Sequence, residues 1–194
     1  MQYKTIRPTL KTGDVIAFSG KGRASNLIKW KTNSDYSHVG MVLDTVMGGL
    51  GKTVMLVEST SLVNIPDAET KELWKGVQIH ILSNRLDNYD GKAWVLPLKN
   101  PISDTKQIEM QRWLRKKHQE KTPYDTVQAL GAGMDLFDNL GLENDVDFNS
   151  LFCSELVTKA LQIADVVDCN INPSEMTPAD VGRFSCFGDA VRLD

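Results

Sequence analysis

Leu151-Phe152-Cys153-Ser154-Glu155-Leu156-Val157 is the stretch around which the rest of the chain is read. Apolar side chains recur at Cys153, Leu156, Val157, Ala160, Leu161 and Ala164. That is the i, i+3, i+4, i+7, i+8 rhythm of an amphipathic helix with one buried stripe. Asn149 and Ser150 are good N-cap residues, so the spacing predicts a helix with its cysteine in or near the first turn. A thiol there lies at the positive end of the helix dipole, beside N–H groups without helical partners, and both favour thiolate over thiol. Taken alone, the stretch fits an ordinary buried cysteine better. What separates the two readings lies upstream.

The chain has 194 residues, 41% hydrophobic and 24% charged, with a formal net charge of −3. That length and balance suit one soluble domain, 1–194, whose core needs neither metal nor disulfide staples. The opening residues, Met1-Gln2-Tyr3-Lys4-Thr5-Ile6-Arg7-Pro8, contain no apolar run and no small-residue cleavage site. No apolar run elsewhere approaches the roughly 20 residues that span a bilayer. The expectation is a cytoplasmic protein without a membrane anchor, unless a route other than a signal peptide exports it. Three cysteines without close spacing argue against a disulfide framework; Cys169 and Cys186 could pair in an oxidising compartment, but reduced thiols are expected.

Charge is unevenly distributed. Residues 1–34 carry seven basic side chains and one acidic, whereas 135–194 carry twelve acidic and three basic. This reads either as a basic approach surface for an anionic substrate or as solvated charge on opposite sides of a domain. No basic stripe interleaved with aromatics marks a nucleic-acid groove, so a nucleic-acid partner is not expected.

In chain order, Thr12-Gly13-Asp14 reads as a turn into a short strand, 15–18, followed by a glycine-containing loop, 19–23, that lacks the Walker spacing. A short helix is expected over 24–31, burying Leu27, Ile28 and Trp30. Tyr36-Ser37-His38-Val39-Gly40-Met41-Val42-Leu43 is a strand with a histidine near its start, joined by a glycine-rich loop, 44–52, to a strand over 53–58. As an antiparallel hairpin with Leu43 opposite Thr53, these strands put His38 opposite Glu58, with side chains on one face. Further strands are expected over 77–82 and 93–98, where His80 fits either a second base or ligand, or a solvent-facing position in an alternating strand. Ser103 is expected to cap a helix reaching about 120, with Met110, Trp113 and Leu114 inward and His118 at the surface. A turn at 121–125, a helix over 126–136 and an acidic loop over 138–149 precede the cysteine helix. Beyond it, the proline-punctuated 172–180 leads to a last helical turn and an edge strand near 186–191.

A thiolate at a helix start, a histidine on a strand and a carboxylate beside it are the parts of a cysteine hydrolase. The histidine takes the thiol proton and returns it to the leaving group, the acid fixes the imidazole tautomer, and helix-start N–H groups receive the oxyanion. A zinc site is not expected: Cys-x-x-Cys and His-Glu-x-x-His are both absent and the three histidines are far apart in the chain. No cofactor is expected.

Three motifs in order, Gly13-Asp14-Val15-Ile16, then Tyr36-Ser37-His38-Val39-Gly40, then Phe152-Cys153-Ser154-Glu155-Leu156-Val157, resemble the circularly permuted branch of the NlpC-type, papain-like cysteine hydrolases, and in particular its YiiX/YebB-like group. In that branch the histidine strand precedes the cysteine helix, as here, and the 173–180 segment is similar to the proline-containing stretch that follows the helix. The resemblance runs from Gly13 to about Asp180. It implies a permuted papain-like α+β fold, with an antiparallel sheet packed against the helix that bears the cysteine near its N-terminal end. It also implies Cys153 as nucleophile, His38 as base and Glu58 as the orienting residue. Tyr124 corresponds to a tyrosine that binds substrate or stabilises the oxyanion; as a core aromatic it needs no such role. The activity implied is that of an amidase or peptidase acting on small peptides, possible sources being cell-wall stem peptides. A thioesterase, lipid hydrolase or acyltransferase using the same cysteine and histidine, akin to lecithin:retinol acyltransferase-like proteins, and a catalytically idle ligand-binding domain are the alternatives.

Overall fold

The computed structural model describes residues 2–48, 51–122 and 149–193, and their framework is an antiparallel sheet. In chain order come α1 (Tyr3–Ile6), a 3-10 turn (Arg7–Thr9), β1 (Val15–Gly20), α2 (Arg23–Thr32), β2 (His38–Gly48), β3 (Gly51–Thr60), β4 (Gly76–Ile81), α3 (Leu82–Asp87) and β5 (Gly91–Leu96). Then follow α4 (Asp104–Gln119), α5 (Asn149–Ile163), a 3-10 turn (Pro173–Glu175), α6 (Pro178–Gly182) and β6 (Val191–Leu193). The six strands lie in the order β4-β3-β2-β1-β5-β6, every neighbouring pair antiparallel. The fold class is α+β, as the sequence implies.

Strand alternation divides the core between two faces. Val15, Ala17, Val39, Met41, Val57, Val77 and Ile79 point to one side, where the apolar stripe of α5, Cys153, Val157, Ala160 and Leu161, and Met110 and Leu114 of α4 cover them. Ile16, Phe18, Val42 and Leu56 point to the other, packing with Ile6, Leu10 and Leu82. Each fully buried aliphatic side chain contributes about 1.5–3 kcal/mol. The stripe that marks α5 in the sequence is therefore what fastens the cysteine helix to the sheet.

The 173–180 segment locks that helix from behind. Ser154 Oγ donates to the Met176 carbonyl. Thr177 and Asp180 form a reciprocal capping box at the start of α6, at 3.2 and 3.0 Å. Asp14, after the turn at Gly13 (φ 92°), accepts from the Lys11 N–H at 2.8 Å and the Leu98 N–H at 2.9 Å, clipping β1 to the end of β5.

Several expectations are corrected. The β2–β3 hairpin has no long loop: pairing continues to Gly48 and Gly51. Its register is Met41 with Val57 and Val42 with Leu56, then Asp44 with Met55 after a bulge. His38 is thus not directly opposite Glu58; the register differs by two residues along β3, which preserves the face of every side chain. Asn149 and Ser150, expected as caps, lie inside α5, so Cys153 is its fifth residue. Trp30 is 79% exposed, while Ile28 is buried. His118 is buried, because α4 ends against the 61–75 connection, whose path no local pattern announces. The edge strand β6 begins at Val191, later than expected, and Phe187 makes only an isolated bridge to Leu98. The turn, helix and loop expected over 123–148 lie outside the described residues.

Candidate active site

The Tyr36-Ser37-His38 stretch spends each residue on a different task. The Tyr36 ring packs edge-on to Trp94 at 5.4 Å and against Gly182, where an added Cβ would come within 2.6 Å of it. The Ser37 N–H donates to the Phe18 carbonyl at 2.8 Å, and its Oγ accepts from the Gly20 N–H at 2.9 Å. These bonds fix the first residue of β2. That residue is His38, which lies beside the Phe18 ring with centroids 5.6 Å apart.

On β3, Glu58 occupies the position that the register would place opposite Gly40. A Cβ on Gly40 would stand 3.1 Å from the Glu58 Cβ, so only glycine leaves the carboxylate its place without a shift. Diagonal neighbours two residues away complete the cluster. His38 Nε2 lies 2.6 Å from Glu58 Oε2. From β4, where Glu58 pairs with Gln78, His80 Nδ1 lies 2.9 Å from Oε1. From α3, the Arg85 Nε donates to Oε1 at 2.7 Å. All four side chains are buried, Glu58 completely.

Cys153 comes from α5 and is the other partner of the His38 ring, by hydrogen bond and by charge. With Nε2 committed to Glu58, Nδ1 is the nitrogen left for the sulfur. Burial disfavours a charged His38, but the charge interaction and hydrogen bond with Cys153, and then Glu58, outweigh burial and push the His38 pKa up to about 10. Burial likewise opposes charge on Glu58; the Arg85 guanidinium, followed by the hydrogen bonds from His38 and His80, holds the carboxyl well below its ordinary range. None of the three cysteines is in a disulfide. Cys169 is exposed, and burial pushes the half-buried Cys186 thiol up to about 11. Among the described residues, Cys153 is the cysteine with a histidine against it.

The structure thus brings Cys153, His38 and Glu58 together, although the hairpin pairing that suggested His38 and Glu58 was in the wrong register. Tyr124 lies outside the described residues. His80, for which a solvent-facing position was the simpler expectation, is instead buried against Glu58. Its signal was available in parity: in Val77-Gln78-Ile79-His80-Ile81 the even positions share a face with Glu58. Arg85 gave no such signal, because α3 is one short turn directly after a strand.

No protein-family model matches the chain, and no curated protein does. Among solved structures it is similar to the crystal structure of metalloprotein yiiX from Escherichia coli O157:H7, DUF1105. The two share 19% sequence identity over 93% of this chain and 87% of that one, with a TM-score of 0.45. Among the described residues, no cluster of three or more histidine, cysteine or carboxylate side chains is arranged to hold a metal ion, and no helix is long and apolar enough to cross a membrane.

Proposed function

We propose that the chain is a cysteine hydrolase of the amidase or peptidase type, with a permuted papain-like arrangement and Cys153, His38 and Glu58 as its triad. The observation that supports this reading is one imidazole shared between a thiol and a carboxylate. Cys153 Sγ attacks a carbonyl carbon as a thiolate, and the tetrahedral intermediate collapses when His38 gives its proton to the leaving amine. Water then loses a proton to His38 and attacks the thioester, releasing acid and thiol. Glu58 holds the Nε2–H and stabilises the imidazolium throughout. Tyr124 keeps its proposed part in substrate or oxyanion binding. A small peptide, cell-wall fragments included, is the proposed substrate class and comes from the sequence resemblance; a cytoplasmic setting is the proposed location.

One observation favours a second reading. Cys153 has no exposed surface, which suits an idle domain that binds a ligand elsewhere; catalysis requires local opening to admit a carbonyl. Iodoacetamide at neutral pH separates the two. A hydrolase labels at Cys153 ahead of Cys169 and Cys186, and loses that preference in His38→Ala. Slow labelling of Cys153, indifferent to His38, supports the idle domain. Hydrolysis of γ-glutamyl and D-amino-acid dipeptides, compared with short-chain phospholipids and thioesters, then distinguishes an amidase from an enzyme acting on acyl esters.

A further inference from the structure

The proposed triad accounts for only one oxygen of Glu58. The other is occupied by two buried groups with no task in that reading, His80 Nδ1 at 2.9 Å and Arg85 Nε at 2.7 Å. Arg85 also reaches Oε2 through Nη2 at 3.4 Å, and its guanidinium lies over the rings of Phe18 and Tyr89, 4.7 and 4.9 Å from their centroids. It is only 1% exposed.

Stability is a poor explanation for such a cluster. Desolvating both ions offsets much of their attraction, and apolar side chains of similar volume commonly serve as well. Two polar atoms, Arg85 Nη1 and His80 Nε2, are buried without a hydrogen-bond partner. Groups that served packing alone would be expected to shed that cost.

The arrangement makes sense as electrostatics. Burial drives Glu58 toward its neutral form, and Arg85 is the strongest influence against it. A protonated Glu58 would offer His38 Nε2–H a weakened acceptor, and the imidazolium would lose its counter-charge. With the charges of Arg85 and Glu58 balanced, the protonation of His38 is left to follow Cys153 foremost, which is the order in which these groups raise it.

We propose that Arg85, assisted by His80, is a positioning residue for the site, keeping Glu58 ionised and aimed at His38 while His38 gains and loses its proton. Neither residue touches substrate; both act through Glu58. The inference rests on Cys153 being the nucleophile.

The test is the pH dependence of Cys153 alkylation by iodoacetamide, with circular dichroism confirming the fold of every variant. In Arg85→Met the acid limb of the profile moves up by about one pH unit or more, as expected when a cation within a few ångströms of a carboxylate is removed. Arg85→Lys, which keeps the charge, returns the limb toward the wild-type position. His80→Leu moves it up by less. Should Arg85→Met not fold, His80→Leu and Arg85→Lys decide, and a His80→Leu limb that coincides with wild type overturns the inference. A uniform loss of rate with unmoved limbs in Arg85→Met is the signature of a merely structural residue and also overturns it. Labelling that depends on His38 but not on Arg85 leaves the nucleophile reading standing; labelling indifferent to His38 removes both.

Discussion

Replacing Glu58 by glutamine keeps the shape of the side chain and removes the charge that two histidines and an arginine share. Burial then pulls harder on His38, since Cys153 alone is left to hold its proton. Under the proposed hydrolase reading, the alkaline limb of activity follows His38, whose pKa is pushed up to about 10; it is then expected to move down in Glu58→Gln, and kcat/KM to fall by roughly 10²-fold or more. A kcat/KM profile against pH measures both. The same substitution strands a buried guanidinium, which costs roughly 3–5 kcal/mol. Glu58→Gln combined with Arg85→Met should therefore be more stable to urea than Glu58→Gln alone; equal or lower stability would mean the two charges are not coupled. Both experiments concern a carboxylate with no exposed surface, and its burial was invisible in Val57-Glu58-Ser59. Composition and order pointed to Cys153 and His38 because the chemistry of a thiol and an imidazole is written in their identity. Glu58 was named through a register that proved wrong by an even number of residues, and an odd error would have sent it to the other face.

At the scale of elements, the middle of the 61–75 connection is anchored on the Asp67 side chain. Asp67 Oδ1 accepts from the N–H groups of Glu69 and Thr70, both at 2.9 Å, and Oδ2 from the Ile79 N–H at 2.7 Å and His118 Nε2 at 2.9 Å. Burial opposes its charge, but His118 and these amides hold the carboxyl far below its usual range. Asp67→Ala leaves two buried donors, the Ile79 N–H and His118 Nε2–H, unsatisfied and should cost roughly 3 kcal/mol. Hydrogen exchange should show the 61–75 amides opening ahead of those in β1 and β2; unchanged exchange there would refute the anchoring role. Elements with a strong period were legible: β1, β4, β5, α4 and the stripe of α5 all appear in the sequence as alternation or helical spacing. Those that depend on a distant partner were not. The β2–β3 ladder runs through residues 44–48 and 51–52, where glycines and a bulge mask the strand pattern, and His118 looked exposed because Asp67 lies 51 residues away. Trp30 erred the other way: spacing placed it inward on α2, and no element covers it enough to bury it.

For the whole molecule, the sum of these local shifts sets where it is most stable. Glu58 and Asp67 are held below their ordinary ranges. Each gives stability that is complete above the unfolded carboxyl value of about 4 and is lost as pH falls through the folded one. Two groups act in the opposite sense. Burial pushes Glu155 up to about 7, so its contribution is complete below the unfolded value and is lost as pH rises from about 4.3 through 7. His38, raised to about 10 against the pull of burial, contributes fully below about 6.5 and loses that contribution as pH rises through 10. All four windows meet only in acidic solution, so the urea midpoint should peak at about pH 4–4.5 and decline on both sides. The chain's calculated isoelectric point, about 5.6, falls close by, which makes the substitutions and not the position of the peak the decisive measurement. Glu155→Gln should flatten the decline between pH 5 and 7 and leave the acid side unchanged. Asp67→Asn should flatten the acid side and leave the decline above pH 5 as it was. If instead both variants move the two limbs together, net charge rather than these particular side chains governs the stability of the fold.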